Sequence, residues 1–380
     1  MKKVAPVILM LFTILSLGSC HKDKIKVDKQ TQIVMGASST YGTKAVIGNK
    51  DQLVADGSPF GVFGYKTVSN SSDPNNQYRI FNNTQVSPSV TVINEKNDTA
   101  WTYSPIRYWD SNPNVSYQFI AYWPWVGTSS QNGPYVEESS KLLTIHNIPN
   151  WQDSVTALDI MTSTRMGKYR GGNPNAFGSG TVVFNFSHIL SKIVIKGYYI
   201  GDKNTHITIK KITLKGSNFL LSTGKADYTE GFNENSSTTP AFSTVSTGNT
   251  AHVLFDDTQE NVSSCVLPET SFDDETPANL QPGQTDPTPY TPARVCTWLT
   301  IPSGGWQNLL LTISYCIGDS SPQEITTSTP FSIGTNSTTE KAKSYVITLK
   351  FDSAGGGVDV GSVNVKDWVN QDVTHDVFNW

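Results

Sequence analysis

Residues 344–352 read Ser-Tyr-Val-Ile-Thr-Leu-Lys-Phe-Asp, and large apolar residues recur in them at every second position. These residues are Tyr345, Ile347, Leu349 and Phe351. Successive side chains of an extended strand point to opposite faces of a sheet, so these four share one face while Thr348 and Lys350 lie on the other. The pattern predicts a β-strand with one face packed against a hydrophobic core.

The same alternation recurs elsewhere in the chain. It is present in residues 309–317, and residues 294–301 precede that segment with Pro-Ser-Gly-Gly (302–305) between them, which predicts a hairpin. In residues 206–214 the apolar period slips at Lys210, which predicts a β-bulge. We find no sustained apolar pattern at the 3.6-residue period of a helix, so the sequence predicts an all-β fold.

The length of 380 residues predicts two domains. Residues 171–180 are rich in glycine, show no apolar period and separate two strand-rich halves. Regularly spaced strands joined by Gly- and Pro-rich turns favour β-sandwiches. We therefore predict an N-terminal β-sandwich domain over residues 31–175 and a C-terminal one over residues 180–380.

The N-terminus has the features of an export signal. Two lysines precede an apolar stretch at residues 4–17, which is followed by Leu17-Gly18-Ser19-Cys20, a sequence that resembles the bacterial lipobox. This pattern predicts a lipoprotein signal peptide over residues 1–19, acylation of the Cys20 thiol and a short charged tether over residues 20–30. No other apolar run approaches the roughly 20 residues of a spanning helix, so the acyl chains would be the membrane attachment.

The charge of the chain argues against nucleic acid as a partner. Removing residues 1–19 would remove two of the 28 basic residues and change the net charge from −4 to −6. The remaining positive charges are scattered and form no basic stripe, so we expect no nucleic-acid binding.

The sequence offers little catalytic or metal-binding chemistry. It contains no HExxH, GxSxG or P-loop motif, and His188 stands alone on a strand-like segment, so we predict neither an enzyme nor a cofactor. Acidic residues at 256–260 and 273–275 match no EF-hand loop and are interpreted as solvated carboxylates.

Beyond Cys20 the chain has three cysteines, at positions 265, 296 and 316. Their odd number allows one disulfide with a spare thiol or three thiols, and it leaves open whether Cys296 and Cys316 pair. No CxxC motif or Cys/His cluster is present, so we predict no zinc site.

The segment from Trp101 to Trp125 is rich in aromatic residues and has two interpretations. Exposed Trp and Tyr rings could form a platform that stacks on sugars, whereas buried rings would fill a sandwich core. Phe119, Ala121 and Trp123 alternate on one face, which favours the core.

Taken together in their order, several segments resemble the fimbrillin family, the lipoprotein precursors of type V pili. The matching segments are Thr43-Lys44-Ala45, Phe60-Gly61-Val62-Phe63-Gly64-Tyr65, the aromatic residues 101–124, Asp159-Ile160-Met161, the Phe-x-His-x-x-Ser-Lys-Ile motif within 183–193, Tyr345-Val346-Ile347-Thr348-Leu349, and residues 363–368.

The resemblance implies a fold and an assembly mechanism. Members have two tandem transthyretin-like β-sandwich domains and reach the outer membrane as lipoproteins. A surface protease then removes the N-terminal segment with its first strand, and a strand from a neighbouring subunit fills the groove that opens. Outer membrane, exposed on the surface, is thus the expected location of the precursor, and the fimbrium that of the mature subunit.

Carried over to this sequence, the resemblance identifies candidate residues for each step. The displaced strand is residues 32–37, with Ile33 and Met35 facing inward, and cleavage follows Lys44 or, as second choice, Lys50. The donor strand, or the strand next to the groove, is the segment 363–373. Its candidate residues are Val363, Val365 and Trp368.

Three functions follow, in order of preference. The first is a structural pilus subunit that joins other subunits by strand insertion. The second is an anchor or tip adhesin of the same pilus, with a host glycan or protein as ligand. The third is a glycan-binding surface lipoprotein that does not polymerise.

Overall fold

A computed structural model gives the fold. It describes residues 31–39, 58–69, 76–93, 96–110, 112–129, 133–139, 142–153, 158–167, 180–200, 206–216, 220–221, 223–228, 241–244, 247–248, 251–259, 265–267, 293–327, 329–352 and 358–367. These residues form strands, turns and bends and contain no helix, so the prediction of an all-β fold is confirmed. Accordingly, the described part of the chain has no helix long and apolar enough to cross a membrane.

The strands are numbered in chain order. They are β1 (Val34–Ser39), β2 (Phe60–Val68), β3 (Gln77–Ile93), β4 (Lys96–Thr102), β5 (Val115–Trp123), β6 (Tyr135–Ser139), β7 (Leu142–Pro149), β8 (Gln152–Asp153), β9 (Met161–Gly167), β10 (Thr181–His188), β11 (Ser191–Ile200), β12 (Ile207–Lys215), β13 (Leu220–Leu221), β14 (Thr223–Tyr228), β15 (Ala241–Thr244), β16 (Thr247–Gly248), β17 (His252–Asp256), β18 (Cys265–Leu267), β19 (Ala293–Thr300), β20 (Leu310–Ile317), β21 (Gln323–Thr326), β22 (Lys343–Asp352) and β23 (Val358–Asp367).

Seven strands form a closed barrel in the order β1-β10-β9-β5-β2-β3-β4, and β4 returns to β1. All neighbours are antiparallel except β1 and β10, which are parallel. Large aromatic side chains fill the interior. The Phe60 ring lies 4.9 Å from that of Trp101, 5.6 Å from that of Phe184 and 5.4 Å from that of Phe186, measured between centroids. Such tilted and edge-on pairs stabilise a core beyond the burial of their area.

A second body consists of two sheets that enclose a second core. One sheet has the order β23-β22-β11-β19-β8 and the other the order β17-β12-β20-β21, with β18 also paired to β12. In β22 the four alternating apolar side chains of residues 344–352 are at most 1 % exposed, so the predicted buried face is confirmed. The pairing of β12 with β20 shifts between Ile209 and Lys211, which confirms the predicted bulge.

The predicted hairpin between residues 294–301 and 309–317 is wrong. β19 pairs with β11 and β8, whereas β20 pairs with β12 and β21, so the two strands belong to different sheets. The connection between them carries Trp306, which is fully buried in the second core. The Gly-rich turn would permit a hairpin. The chain instead crosses from one sheet to the other, and the Trp306 indole is buried in the core along this crossing.

A fourth sheet, β15-β14-β7-β6, combines strands from both halves of the chain. Beneath it a third core joins side chains on the outer face of the barrel, such as Phe63 and Tyr122, to Leu299 and Ile301 of the second body. This shared core connects the two bodies through buried apolar contacts.

The predicted boundary between residues 175 and 180 lies outside the described residues, and the division into domains 31–175 and 180–380 stays a prediction. In the hydrogen-bonding pattern, β10 pairs with β1 and β9 and thus completes the barrel. The next strand, β11, pairs with β19 and β22 of the second body. The chain passes from one to the other at Ile189 and Leu190, both buried.

The packing of β2 against β5 predicts that Gly61→Ala destabilises the barrel. A Cβ at Gly61 would lie 2.3–2.6 Å from atoms of the Tyr122 ring, and that ring is held because its hydroxyl donates to the Val126 carbonyl at 2.8 Å. We expect a loss of about 1–3 kcal/mol in the free energy of unfolding, measured by chemical denaturation. Gly36→Ala is the matched control, since its Cβ would lie 3.6 Å from Val183. Equal stability of the two variants would contradict this packing.

Candidate functional site at the first strand

The first strand closes the barrel, and its two sides are held unequally. On one side, six residues of β1 pair with β10, from Val34 with Thr181 to Ser39 with Phe186. On the other side, the described register with β4 consists of Met35 with Trp101. The barrel therefore closes through one strand that has a full ladder on one edge and a short one on the other.

The inward face of this strand completes the first core. Ile33 is 0 %, Met35 2 % and Ala37 4 % exposed, whereas Val34 between them is 44 % exposed. The alternation shows that every second residue enters the barrel. Ile33 and Met35, the candidate residues of the displaced strand, thus lie in the core.

The residues just before β1 are held by the segment 107–109. The Ile33 amide donates to the Arg107 carbonyl at 2.9 Å, and the Trp109 amide donates to the Thr31 carbonyl at 2.9 Å. Gln32 forms an antiparallel bridge with Tyr108 between these two bonds. The barrel thus binds an extended segment of nine residues, 31–39.

Two aromatic side chains fix the start of this segment. The Tyr103 hydroxyl donates to the Ile33 carbonyl at 2.6 Å, and burial raises the pKa of Tyr103, so the phenol keeps its proton. The Trp109 indole donates at 3.1 Å to the Gly180 carbonyl, which also accepts from the Val34 amide at 3.1 Å. Gly180 has a φ of +79°, a conformation that favours glycine. We call Tyr103, Arg107, Trp109 and Gly180 the start clamp.

The start clamp falls within the aromatic-rich segment, whose interpretation as core is confirmed for most of its rings. Those at most 7 % exposed are Trp101, Tyr103, Trp109, Tyr117, Phe119, Tyr122 and Trp123. Tyr108 is 50 % and Trp125 36 % exposed. The large aromatic residues of this stretch therefore serve mainly to fill the barrel and to hold its first strand.

The candidate C-terminal strand lies in the other body. β23 pairs with β22 at one edge of its sheet, from Lys343 with Asp367 to Phe351 with Val358. Val363 is partly buried against the second core, and Val365 is 51 % exposed. The structure thus does not bring these residues together with β1. Trp368 lies outside the described residues, as do Cys20, Lys44 and Lys50.

The three described cysteines are free thiols. Cys296 lies on β19 and Cys316 on β20, in different sheets. Among the described residues, no group of three or more His, Cys, Asp or Glu side chains is arranged to hold a metal ion. The Asp256 carboxyl instead accepts hydrogen bonds from Thr258 and Lys211. These bonds lower the pKa of that carboxyl to about 2.

Sequence reasoning missed a buried contact between a histidine and an aspartate at the passage between the two bodies. Nδ1 of His188 lies 2.9 Å from Oδ2 of Asp159, and both side chains are buried. Lys192 is buried nearby, and this burial lowers the pKa of its ammonium to about 8. The signal was present, since the Asp-Ile-Met and Phe-x-His-x-x-Ser-Lys-Ile segments supply all three residues. Asp159 lies just before β9, His188 ends β10 and Lys192 lies on β11. These positions indicate a structural role in fixing the passage of the chain from the barrel to the second body.

The chain matches the family model described as fimbrillin-like over residues 43–368. No curated protein sequence matches it. A fimbrial protein from Bacteroides vulgatus has a similar structure, with a TM-score of 0.58, 17 % identity and coverage of 89 % of this chain and 99 % of that one. A putative cell adhesion protein from Bacteroides uniformis aligns with a TM-score of 0.45, 13 % identity and coverage of 89 % and 98 %. At these identities the first likeness shows a common fold.

The start clamp predicts a specific effect of Tyr103→Phe. The change removes the hydroxyl that donates to the buried Ile33 carbonyl and keeps the ring, so we expect a loss of about 1–3 kcal/mol in the free energy of unfolding. Amide hydrogen exchange at Val34 and Met35 should become faster than in the rest of the barrel. Tyr108→Phe, at a half-exposed ring, should change stability by less than about 0.5 kcal/mol. Unchanged exchange in β1 would contradict the clamp.

Proposed function

Because this chain belongs to the fimbrillin-like family, we propose that it is a structural subunit of a type V pilus. In this proposal the chain is exported as a lipoprotein, trimmed at its N-terminus and joined to other subunits by strand exchange. Its role is mechanical rather than catalytic.

The observation that carries the proposal is the closure of the barrel by β1. Removal of this strand would leave the edges of β10 and β4 unpaired and open a trench lined by buried side chains such as Val182, Phe184 and Trp101. Unpaired strand edges readily accept another strand, which restores the backbone hydrogen bonds and covers the apolar surface. Reburial of two side chains as large as Ile33 and Met35 would contribute roughly 3–6 kcal/mol before ordering costs.

The proposed cleavage sites fit this opening. Lys44 and Lys50 both follow the end of β1 at Ser39 and precede the start of β2 at Phe60. Cleavage at either position would therefore separate β1 from the chain and keep the other six barrel strands in one piece.

The C-terminal region would supply the connection to the next subunit. β23 lies at the edge of its sheet, and the proposed segment 363–373 begins in its second half, as the donor strand or as the strand next to the groove. Insertion of a strand from one body into the barrel of the next molecule is head-to-tail and does not close on itself, so it extends a filament.

Two alternative functions depend on what happens to the N-terminus. An anchor or tip subunit of the same pilus would keep β1 and the acyl chains on Cys20. A glycan-binding surface lipoprotein that does not polymerise is favoured, within the aromatic-rich segment, by the partly exposed rings of Tyr108 and Trp125, which could stack on sugars or contact a host protein.

The proposed outer-membrane anchor predicts that Cys20→Ser releases the precursor. Without the thiol no acyl chains are attached, so in its native host we expect the variant to move from the membrane fraction to the soluble fraction and to lose incorporation of a labelled fatty acid. Cys265→Ser is the matched control and should stay in the membrane. Membrane retention of the Cys20→Ser chain would contradict the lipid anchor.

The proposed trimming predicts assembly in vitro. Limited trypsin digestion of the chain purified without residues 1–20 should give a product that starts after Lys44 or Lys50 and forms ladders on unboiled gels and filaments in electron microscopy. A chain with Lys44→Gln and Lys50→Gln should keep β1 covalently attached and stay monomeric. A trimmed product that remains monomeric would point to a tip subunit or a glycan-binding lipoprotein instead.

A further inference from the structure

We propose, on the basis of the lipid anchor in the function above, that an apolar patch on the outer face of the barrel rests on the bilayer in which the acyl chains of Cys20 are inserted. The patch consists of Val34, Ile106, Tyr108 and Val183, and we call it the outer patch. It is the outward side of the same strand whose inward side completes the first core.

The outer patch gathers exposed apolar side chains in one place. Eight large apolar side chains are exposed in the described part of the chain, and the four of the patch, at 41–50 % exposure, are half of them. Single exposed apolar residues are ordinary on a protein surface, whereas a contiguous group indicates a contact surface. The position of these four side chains relative to one another therefore decides whether they form a surface.

The pairing of β1 with β10 places two of the side chains next to each other. On β1 the outward residues include Val34 and Gly36, since the residues between and beside them enter the barrel. Gly36 pairs with Val183 on β10, whose own neighbours Val182 and Phe184 are buried. A Cβ at Gly36 would lie 3.6 Å from the Val183 side chain. Val34 and Val183 thus lie on one continuous outward face, on either side of a residue that has no side chain.

Ile106 and Tyr108 extend this face on the other side of β1. The Ile33 amide donates to the Arg107 carbonyl at 2.9 Å, and Gln32 forms an antiparallel bridge with Tyr108. Residues that pair directly across two strands direct their side chains to the same face, and both Gln32 and Tyr108 are exposed. Ile106, on the other side of Arg107, is 43 % exposed. The outer patch therefore crosses three neighbouring segments of the barrel.

The predicted lipid anchor joins the described structure at this patch. The eleven residues 20–30 separate the Cys20 thiol from the end of the tether at Thr31, whose carbonyl accepts a hydrogen bond from the Trp109 amide at 2.9 Å. Eleven residues span at most about 40 Å when fully extended, and the ends of a random coil of that length lie about 18 Å apart. An anchored molecule therefore keeps this face close to the bilayer, where a weak contact suffices because the effective concentration is high.

The residues of the patch suit a bilayer surface. Tyrosine is enriched at membrane interfaces, where the ring lies in the apolar region and the hydroxyl reaches the headgroups. Arg107, between Ile106 and Tyr108, is also exposed, and its cationic side chain attracts the phosphate groups of lipids. Asp110, two positions after Tyr108, is paired with Lys66 at 3.1 Å, so its charge is compensated. The patch thus combines apolar side chains with a positive charge.

Two other occupants fit the patch less well. Four half-exposed side chains cannot supply the ~800 Å² that a stable protein–protein interface buries on each partner. A sugar requires hydrogen-bonding groups around the ring on which it stacks, whereas the other members of the patch are aliphatic. A bilayer requires neither, because an acyl anchor needs only a weak second attachment to become stable.

Trimming would end both attachments in one step. Cleavage at the proposed sites would detach the acyl chains together with Val34. The three remaining side chains of the patch would then lack the tether that keeps them at the bilayer, so the trimmed subunit would leave the membrane.

Anchoring the chain to vesicles tests the proposal. The chain from residue 21 onward carries an N-terminal polyhistidine tag in place of the acylated cysteine, and a nickel-chelating lipid holds it on vesicles of phosphatidylethanolamine and phosphatidylglycerol. An environment-sensitive dye is attached through an azido amino acid at position 106. The matched control carries the dye at position 319, which is exposed and lies between β20 and β21 of the second body. A nitroxide-labelled lipid serves as quencher.

We expect the emission of the dye at position 106 to shift to the blue on vesicles and to be quenched by the nitroxide-labelled lipid, whereas the dye at position 319 keeps its spectrum in water. As a second measurement, Tyr108→Asp should weaken binding of the tagged chain to vesicles of low nickel-lipid content at least about fivefold, since a carboxylate replaces an inserted ring. Val266→Asp is the matched control, because Val266 is equally exposed, at 50 %, in the second body, and it should bind as tightly as the unsubstituted chain.

The bilayer contact is wrong if the dye at position 106 stays in water on the anchored chain, or if the Tyr108→Asp and Val266→Asp chains bind equally well. A blue shift at position 106 without vesicles, together with dimers in sedimentation, would also overturn it and assign the patch to a second copy. Because the tag replaces the acyl chains, these failures leave the acylation of Cys20 and the pilus function standing. Those are tested separately by the Cys20→Ser and trypsin experiments.

Discussion

The barrel depends on backbone hydrogen bonds that one short strand makes on both of its edges. β1 pairs with β10 along its whole length and with β4 at Met35, and its inward side chains complete an aromatic core. Because a β-sheet cannot close without a partner for its last edge, removal of β1 converts a closed barrel into an open one with an apolar trench. β1 is thus a part of the core, and its removal would expose that core.

The rest of the molecule is built so that such an opening would stay local. The second core lies between the two sheets of the second body and includes no residue of β1, and the third core joins the outer face of the barrel to that body. The buried contact of His188 with Asp159 lies at the passage between the bodies, at the end of β10. The edge of β10 would therefore remain in place when β1 leaves, since its end is fixed by the Ile189 amide, which donates to the Ile160 carbonyl at 3.0 Å.

Much of this architecture could be predicted from the sequence, and the exceptions have physical causes. Period-two alternation identified β22, its buried face and the bulge in β12, because these depend on local geometry. The same alternation gives no information about partners, so it led to a hairpin between β19 and β20 that burial of Trp306 replaces with a crossing between sheets. The pairing of β1 with β10 joins residues about 150 positions apart in sequence, and nothing local encodes it. The contact between His188 and Asp159 was missed because the two residues lie 29 positions apart and each on its own is an ordinary polar residue.

The N-terminus of the subunits in assembled filaments would show whether β1 is removed before assembly. Filaments would be sheared from the native cell surface, and the N-terminal peptides of their subunits would be identified by mass spectrometry. We expect subunits that begin at Ala45 or Asp51 and lack β1. Subunits that all retain Cys20 and residues 31–39 within the filament would contradict it, because the barrel would then be closed by its own strand and could not accept another.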